Sequence, residues 1–73
     1  MTKEERFLLK LYELSLASDE PLDPIEAGRL IGIAPKGVKT ICKNLAQANF
    51  IQKEGEEWVS LTRHGKNLAE ELP

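Results

Sequence analysis

Between Ala27 and Lys53 the sequence has no aspartate and no glutamate, although the chain carries 12 acidic residues against 10 basic ones and a formal charge of −2. The shortage of carboxylates is therefore local. An acidic chain has no global attraction for nucleic acid, so any such attraction must come from a patch. Cysteine is almost missing as well. Cys42 is the single one, and one thiol cannot close an internal disulfide, so an intracellular, cytoplasmic protein is expected. Long hydrophobic runs are also lacking. The longest apolar stretch, FLLKLYELSLA from Phe7, is broken by Lys10 and Glu13, which excludes a membrane span and argues against a signal peptide.

The residues that carry chemistry are equally sparse. No nucleophile–base arrangement, glycine-rich phosphate loop or dinucleotide fingerprint is present. Glu70 and Glu71 are adjacent on an expected helix and do not share a face. Cys42 and His64 are the only soft metal-ligand candidates, short of the clustered set of about four that zinc needs. Cys42 falls on an apolar helix face and is expected as a core thiol; His64 is expected in solvent. Neither an enzyme, a metal nor a cofactor is expected.

What is present fits one small globular domain over residues 1–73. Apolar residues make up 41% and charged residues 30%, a balance that folds rather than stays disordered. There is no internal repeat, low-complexity tract or linker. Residues 3–17 read as a first helix with Phe7, Leu8, Leu11, Leu14 and Ser15 inward. The segment SDEPLDP ends it with two prolines, and Leu22 is expected in a very short strand. Asp23, Pro24 and Glu26 form an N-cap, first-turn proline and capping-box signal for a second helix, with Ala27, Leu30 and Ile31 inward and Gly32 as the stop. Pro35 opens a third helix with Val38, Ile41, Cys42, Leu45 and Ala48 on one face, and Asn49 is its left-handed stop. Strands near 50–54 and 57–61 turn at Gly55, with Val59 and Leu61 inward and Trp58 and Ser60 opposite. Thr62 caps a last helix, about 63–72, with Leu68, Ala69 and Leu72 inward.

The short link Gly32–Ala34 forces a sharp crossing between helices two and three, the mark of a helix-turn-helix. Opposite the apolar face of helix three, Lys36, Lys39, Thr40, Lys43, Asn44 and Gln47 fall within roughly 140° of arc. These are the residue types a DNA-reading helix needs. Ammonium groups meet phosphates and release counterions. Amides and hydroxyls meet base edges in the major groove. A carboxylate on that side would repel the backbone, which accounts for the acid-free stretch. A plain solvated lysine face is the competing reading.

Two segments carry a family resemblance. AGRLIGIAPKGVKTICKNLAQANFI is similar to the helix-turn-helix of winged-helix transcription regulators of the MarR type, through Gly28, Ile31, Gly32, Ile33, Ala34, Val38, Leu45 and Asn49-Phe50-Ile51. VSLTRHGKNLAEEL resembles the Leu-Thr-x-x-Gly-x-x-Leu signature that leads into the last helix of that family. The resemblance implies a mainly α fold with a small β-hairpin: helix, helix-turn-helix, hairpin wing, C-terminal helix. It implies a recognition helix at about 35–48 that enters the major groove of double-stranded DNA, with Pro35, Lys36, Gly37, Lys39, Thr40 and Lys43 at the groove-facing positions. The expected function is a DNA-binding transcription regulator, and the site is Lys36, Gly37, Lys39, Thr40, Lys43, Asn44 and Gln47.

The chain departs from the family pattern. Ala34 stands where a Ser or Thr cap is usual, at a cost on the order of 1 kcal/mol. Gly37 weakens the first turn of helix three, and Gly28 replaces an alanine; both point to a looser reading head. The wing QKEGEEW sets Glu54, Glu56 and Glu57 against Lys53, so its tip would meet phosphates with like charge. Either the wing stays away from DNA, or the domain follows a second reading, a winged-helix protein–protein interaction module that does not bind DNA. Helix one adds to it. Its apolar residues span roughly 220°, about twice what one core needs, leaving Leu9, Tyr12 and Leu16 for a partner surface. A homodimer through the first helix is the simplest use of that surface.

Overall fold

The computed structural model describes residues 1–18 and 20–73. Asp19, inside the stretch expected to end the first helix, lies outside the described residues. Four helices and one hairpin follow in the order α1 (Lys3–Ser15), α2 (Pro24–Leu30), α3 (Pro35–Gln47), β1 (Ile51–Glu54), β2 (Trp58–Leu61) and α4 (Arg63–Glu71).

Each start has a local cause. α1 opens on a reciprocal capping box: the Glu5 amide donates to Thr2 Oγ1 at 3.1 Å and the Thr2 amide donates to the Glu5 carboxylate at 2.8 Å. α2 opens on Asp23, whose carboxylate accepts from the Ile25 and Glu26 amides at 3.0 and 3.3 Å. The expected reciprocal half of this second box does not form, because Glu26 turns to the Arg29 guanidinium one turn on. A charged partner outcompetes one amide. α3 has no side-chain cap at Ala34 and starts on Pro35 alone.

Each of the two middle helices stops the same way. Gly32 has φ +77°, with the Ile33 amide donating to the Gly28 carbonyl at 2.8 Å and the Gly32 amide to that of Arg29 at 3.2 Å. Asn49 has φ +66°, with the Phe50 amide donating to the Leu45 carbonyl at 2.9 Å and the Asn49 amide to that of Ala46 at 3.0 Å. Both are Schellman closures, which satisfy the last carbonyls and send the chain off sharply. They set the angles at which α3 enters and leaves.

The core gathers Phe7, Leu8 and Leu11 from α1, Leu22, Ala27 from α2, Val38, Ile41 and Leu45 from α3, Ile51 and Val59 from the hairpin, and Ala69 from α4. Leu22, expected in a very short strand, makes a single bridge: its amide donates to the Val59 carbonyl at 2.7 Å and its carbonyl accepts from the Val59 amide at 2.9 Å, extending the β1–β2 hairpin. Three expected inward positions differ. Leu30 is half exposed, because Ala27, Gly28 and Ile31 face the core and Leu30 lies roughly 100° round the helix from their centre. Ala48 is exposed, since it is the C-cap where α3 ends. Leu72 is only partly covered, being past the last turn of α4.

Two glycines are required for packing rather than for turns. A methyl group at Gly28 would overlap Val38 Cγ2, so this glycine lets α2 and α3 approach closely. The expectation that Gly28 loosens the reading head is therefore reversed. A methyl group at Gly65 would overlap the Phe50 carbonyl oxygen, where the start of α4 rests on the turn after α3. Thr62 adds to the same junction. It accepts from the Gly65 amide at 3.0 Å, donates its hydroxyl to the Asn49 carbonyl at 2.6 Å, and its own amide donates to the Phe50 carbonyl at 3.1 Å. The His64 ring, exposed as expected, also stacks on Phe50, with centroids 4.6 Å apart and planes 12° from parallel.

Candidate nucleic-acid interface

The outer face of α3 is assembled by its own periodicity. Val38, Ile41 and Leu45 take the inner side, which leaves Lys36, Lys39, Thr40, Lys43, Asn44 and Gln47 exposed together. Gly37 lies among them, partly covered by Ile33. Thr40 Oγ1 sits 3.5 Å from the Lys36 carbonyl, a contact at the limit of hydrogen bonding that leaves the hydroxyl available.

Among the described residues only two ion pairs form. Lys10 meets Glu13 at 2.8 Å on α1, and Arg29 meets Glu26 on α2. Glu26 lies just before the acid-free stretch and neutralises the first cation in it. Its carboxyl is held below the usual range chiefly by the hydrogen bond from Arg29. Lys36, Lys39 and Lys43 have no carboxylate within ion-pair distance among the described residues.

A groove of about 860 Å³ runs between α3 and the hairpin. Lys39, Lys43 and Gln47 form the helix wall, Lys53, Glu56, Glu57 and Trp58 the hairpin wall, and Val38, Cys42 and Val59 lie between them. Burial pushes the Cys42 thiol above its ordinary pKa, against a smaller opposing effect of the Lys53 charge. Cys42 is half-buried, less covered than a core thiol. Glu54, grouped with the wing acids on sequence, is drawn onto the hairpin itself. It accepts from Gln52 Nε2 at 2.8 Å and Ser60 Oγ at 2.7 Å, and these bonds hold its carboxyl below the usual range. The free carboxylates of the turn are those of Glu56 and Glu57. Sequence periodicity did not disclose the groove, because it requires the hairpin and α3 to be placed side by side.

The residues assigned to a partner surface separate. Leu16 is 70% exposed and caps α1 rather than belonging to it. Leu9 is half-buried. Tyr12 packs against the core and donates its hydroxyl to the Glu70 carboxylate of α4 at 2.8 Å. Among the described residues no group of three His, Cys, Asp or Glu side chains could hold a metal ion. No helix among them is long and apolar enough to cross a membrane.

The chain matches no model of a known protein family. Nor does it match any curated protein sequence. Its backbone does match a solved structure, a crystal structure of a MarR family protein of Mycobacterium tuberculosis, with a TM-score of 0.70 and 24% identity. The match covers 96% of this chain and 50% of that one, so the chain spans half of that protein's length. The fold is a MarR-like winged helix. On this fold α2 and α3 form the helix-turn-helix and β1–β2 is the wing.

Proposed function

We propose that this winged helix is the DNA-binding part of a transcription regulator, with α3 as the reading helix in the major groove. The observation that carries the reading is the state of Lys36, Lys39 and Lys43: exposed, on one side of α3, and without an ion-pair partner among the described residues. These ammonium groups contact phosphates or guanines, while Thr40, Asn44 and Gln47 contact base edges or the adjacent backbone. Two copies joined through α1, with Leu9 and Leu16 at the junction, present two α3 helices to a two-fold site.

The test is a titration of labelled duplex with the protein at two salt concentrations. Three phosphate contacts per protomer give a log–log salt slope of about −3 for one bound protomer and about −5 for the bound dimer. Amide shifts should concentrate on residues 35–47, and Lys39→Glu with Lys43→Glu should abolish binding with the fold intact. Shifts scattered over α1 and α4, or none at low salt, would remove the reading.

Exposed Leu16 and Leu30 favour a second reading, a protein-interaction module. The two separate cleanly by variant. A protein partner docked at Leu30, which lies outside the proposed dimer junction, is lost on Leu30→Glu and retained by the double lysine variant.

A further inference from the structure

We infer that the wing tip, residues 55–57, is an electrostatic screen which holds a duplex away from the turn, so that the contact is confined to α3 and the groove-facing Lys53. The inference rests on the DNA-binding reading and deepens it. Lys53 is the only cation of the hairpin. It is opposite buried Val59 in the antiparallel register, and cross-strand partners point to the same side of a hairpin. Lys53 accordingly lines the groove with Lys39 and Lys43 instead of projecting from the tip. Glu54 is tied to Gln52 and Ser60. What remains at the tip is Glu56 and Glu57, on the rim of the same groove, both exposed and without an ion pair among the described residues.

The strands are only four residues each, and Glu54 already pairs with Trp58. Residues 55–57 are all that remain for the turn, with Gly55 at φ +81°. So short a turn cannot swing its carboxylates far from the groove they line. A phosphate backbone lying on Lys39 and Lys43 passes along the groove that Glu56 and Glu57 also line, and low salt leaves their repulsion weakly screened. Repulsion at that range acts against any seating of the tip in the minor groove. Base selection is thereby left to α3 and confined to the major groove.

The experiment compares the full chain with Glu56→Gln/Glu57→Gln and with Glu20→Gln/Glu71→Gln. The second pair makes the same change in net charge with residues that do not line the groove. Each protein's affinity for a labelled duplex is measured at low and high salt, with amide spectra as the check on folding. The wing variant should bind about fivefold tighter at low salt, the gain shrinking at high salt, and the control pair should change by less than about twofold. Equal gains in both pairs, or no gain in the wing pair, would overturn the screen and leave the DNA reading standing. Absence of binding by all three proteins would overturn both.

Discussion

Gly65 lies against the carbonyl of Phe50 so closely that a single added methyl group would overlap the oxygen. That contact seats the start of α4 on the turn where α3 ends, and so fixes α3 relative to the rest of the core. It predicts that Gly65→Ala is destabilising by about 1–3 kcal/mol, the usual cost of overpacking. Gly28→Ala should cost as much, because its methyl group meets Val38. Gly37→Ala is the contrast. Its methyl group would lie 3.1 Å from Cγ2 of the half-buried Ile33, which need give by only a few tenths of an ångström. A gain of up to about 1 kcal/mol in helix propensity then decides the sign. Urea denaturation of the three variants checks the order.

Thr62 serves the same junction with both halves of its hydroxyl, accepting from Gly65 and donating to Asn49. Thr62→Ala should lose about 1–2 kcal/mol. Thr62→Ser keeps the donor and the acceptor and should recover most of it. Thermal denaturation of the pair measures the difference.

Acid should weaken the fold through three carboxylates. Glu5 is held below the usual range chiefly by the Thr2 amide, Glu26 by Arg29, and Glu54 by Gln52 and Ser60. A carboxylate depressed in the folded state binds protons more weakly there than in the unfolded chain. Its contribution is complete above the unfolded value, roughly pH 4.3, and is lost as pH falls through the lower folded value. Stability measured by denaturation should therefore decline below about pH 4.5. Glu5→Gln/Glu26→Gln/Glu54→Gln should flatten that decline. At the other end, the hydrogen bond to Glu70 raises the Tyr12 phenol above its ordinary value. Its contribution persists until pH rises through the raised folded value, and ultraviolet titration should place this phenol later than in Glu70→Gln.

The α3 lysines should act additively in salt dependence. Lys36→Ala, Lys39→Ala and Lys43→Ala should each reduce the magnitude of the slope by about 1 wherever the side chain meets a phosphate. Lys10→Ala is the internal control, because that lysine is engaged by Glu13 on α1.

The proposed dimer is read by sedimentation. At tens of micromolar the chain should run as a dimer, and Leu16→Glu should return it to monomer. A monomer at that concentration in the unaltered protein would remove the α1 junction from the proposal.

Local signals foretold most of the elements. Asp23-Pro24, Gly32, Pro35, Asn49, Gly55 and Thr62 each mark a start, stop or turn through their own backbone preferences, and the structure puts them to those uses. The capping box of Thr2 and Glu5 was equally legible in the Thr-x-x-Glu spacing, although the hydrophobic pattern of α1 was enough to find the helix without it. The outer face of α3 followed from a period of 3.6 residues alone. Which helix faces reach the core was less secure where a helix is short, as Leu30 illustrates: seven residues give too few turns to fix the rotation of α2.

Sequence by itself determined the order of the elements, the segregation of cations from carboxylates on α3, and the acidic character of the turn. These depend on neighbours along the chain, at separations where residue type and period suffice. Tertiary structure alone decided which charges stay free. Glu54 is drawn onto Ser60 across the hairpin, and Lys53 is turned toward α3. It also decided that Gly28 and Gly65 are packing necessities. The physical reason is common to all of these: each depends on the three-dimensional position of a particular partner atom, and residue type does not carry that position.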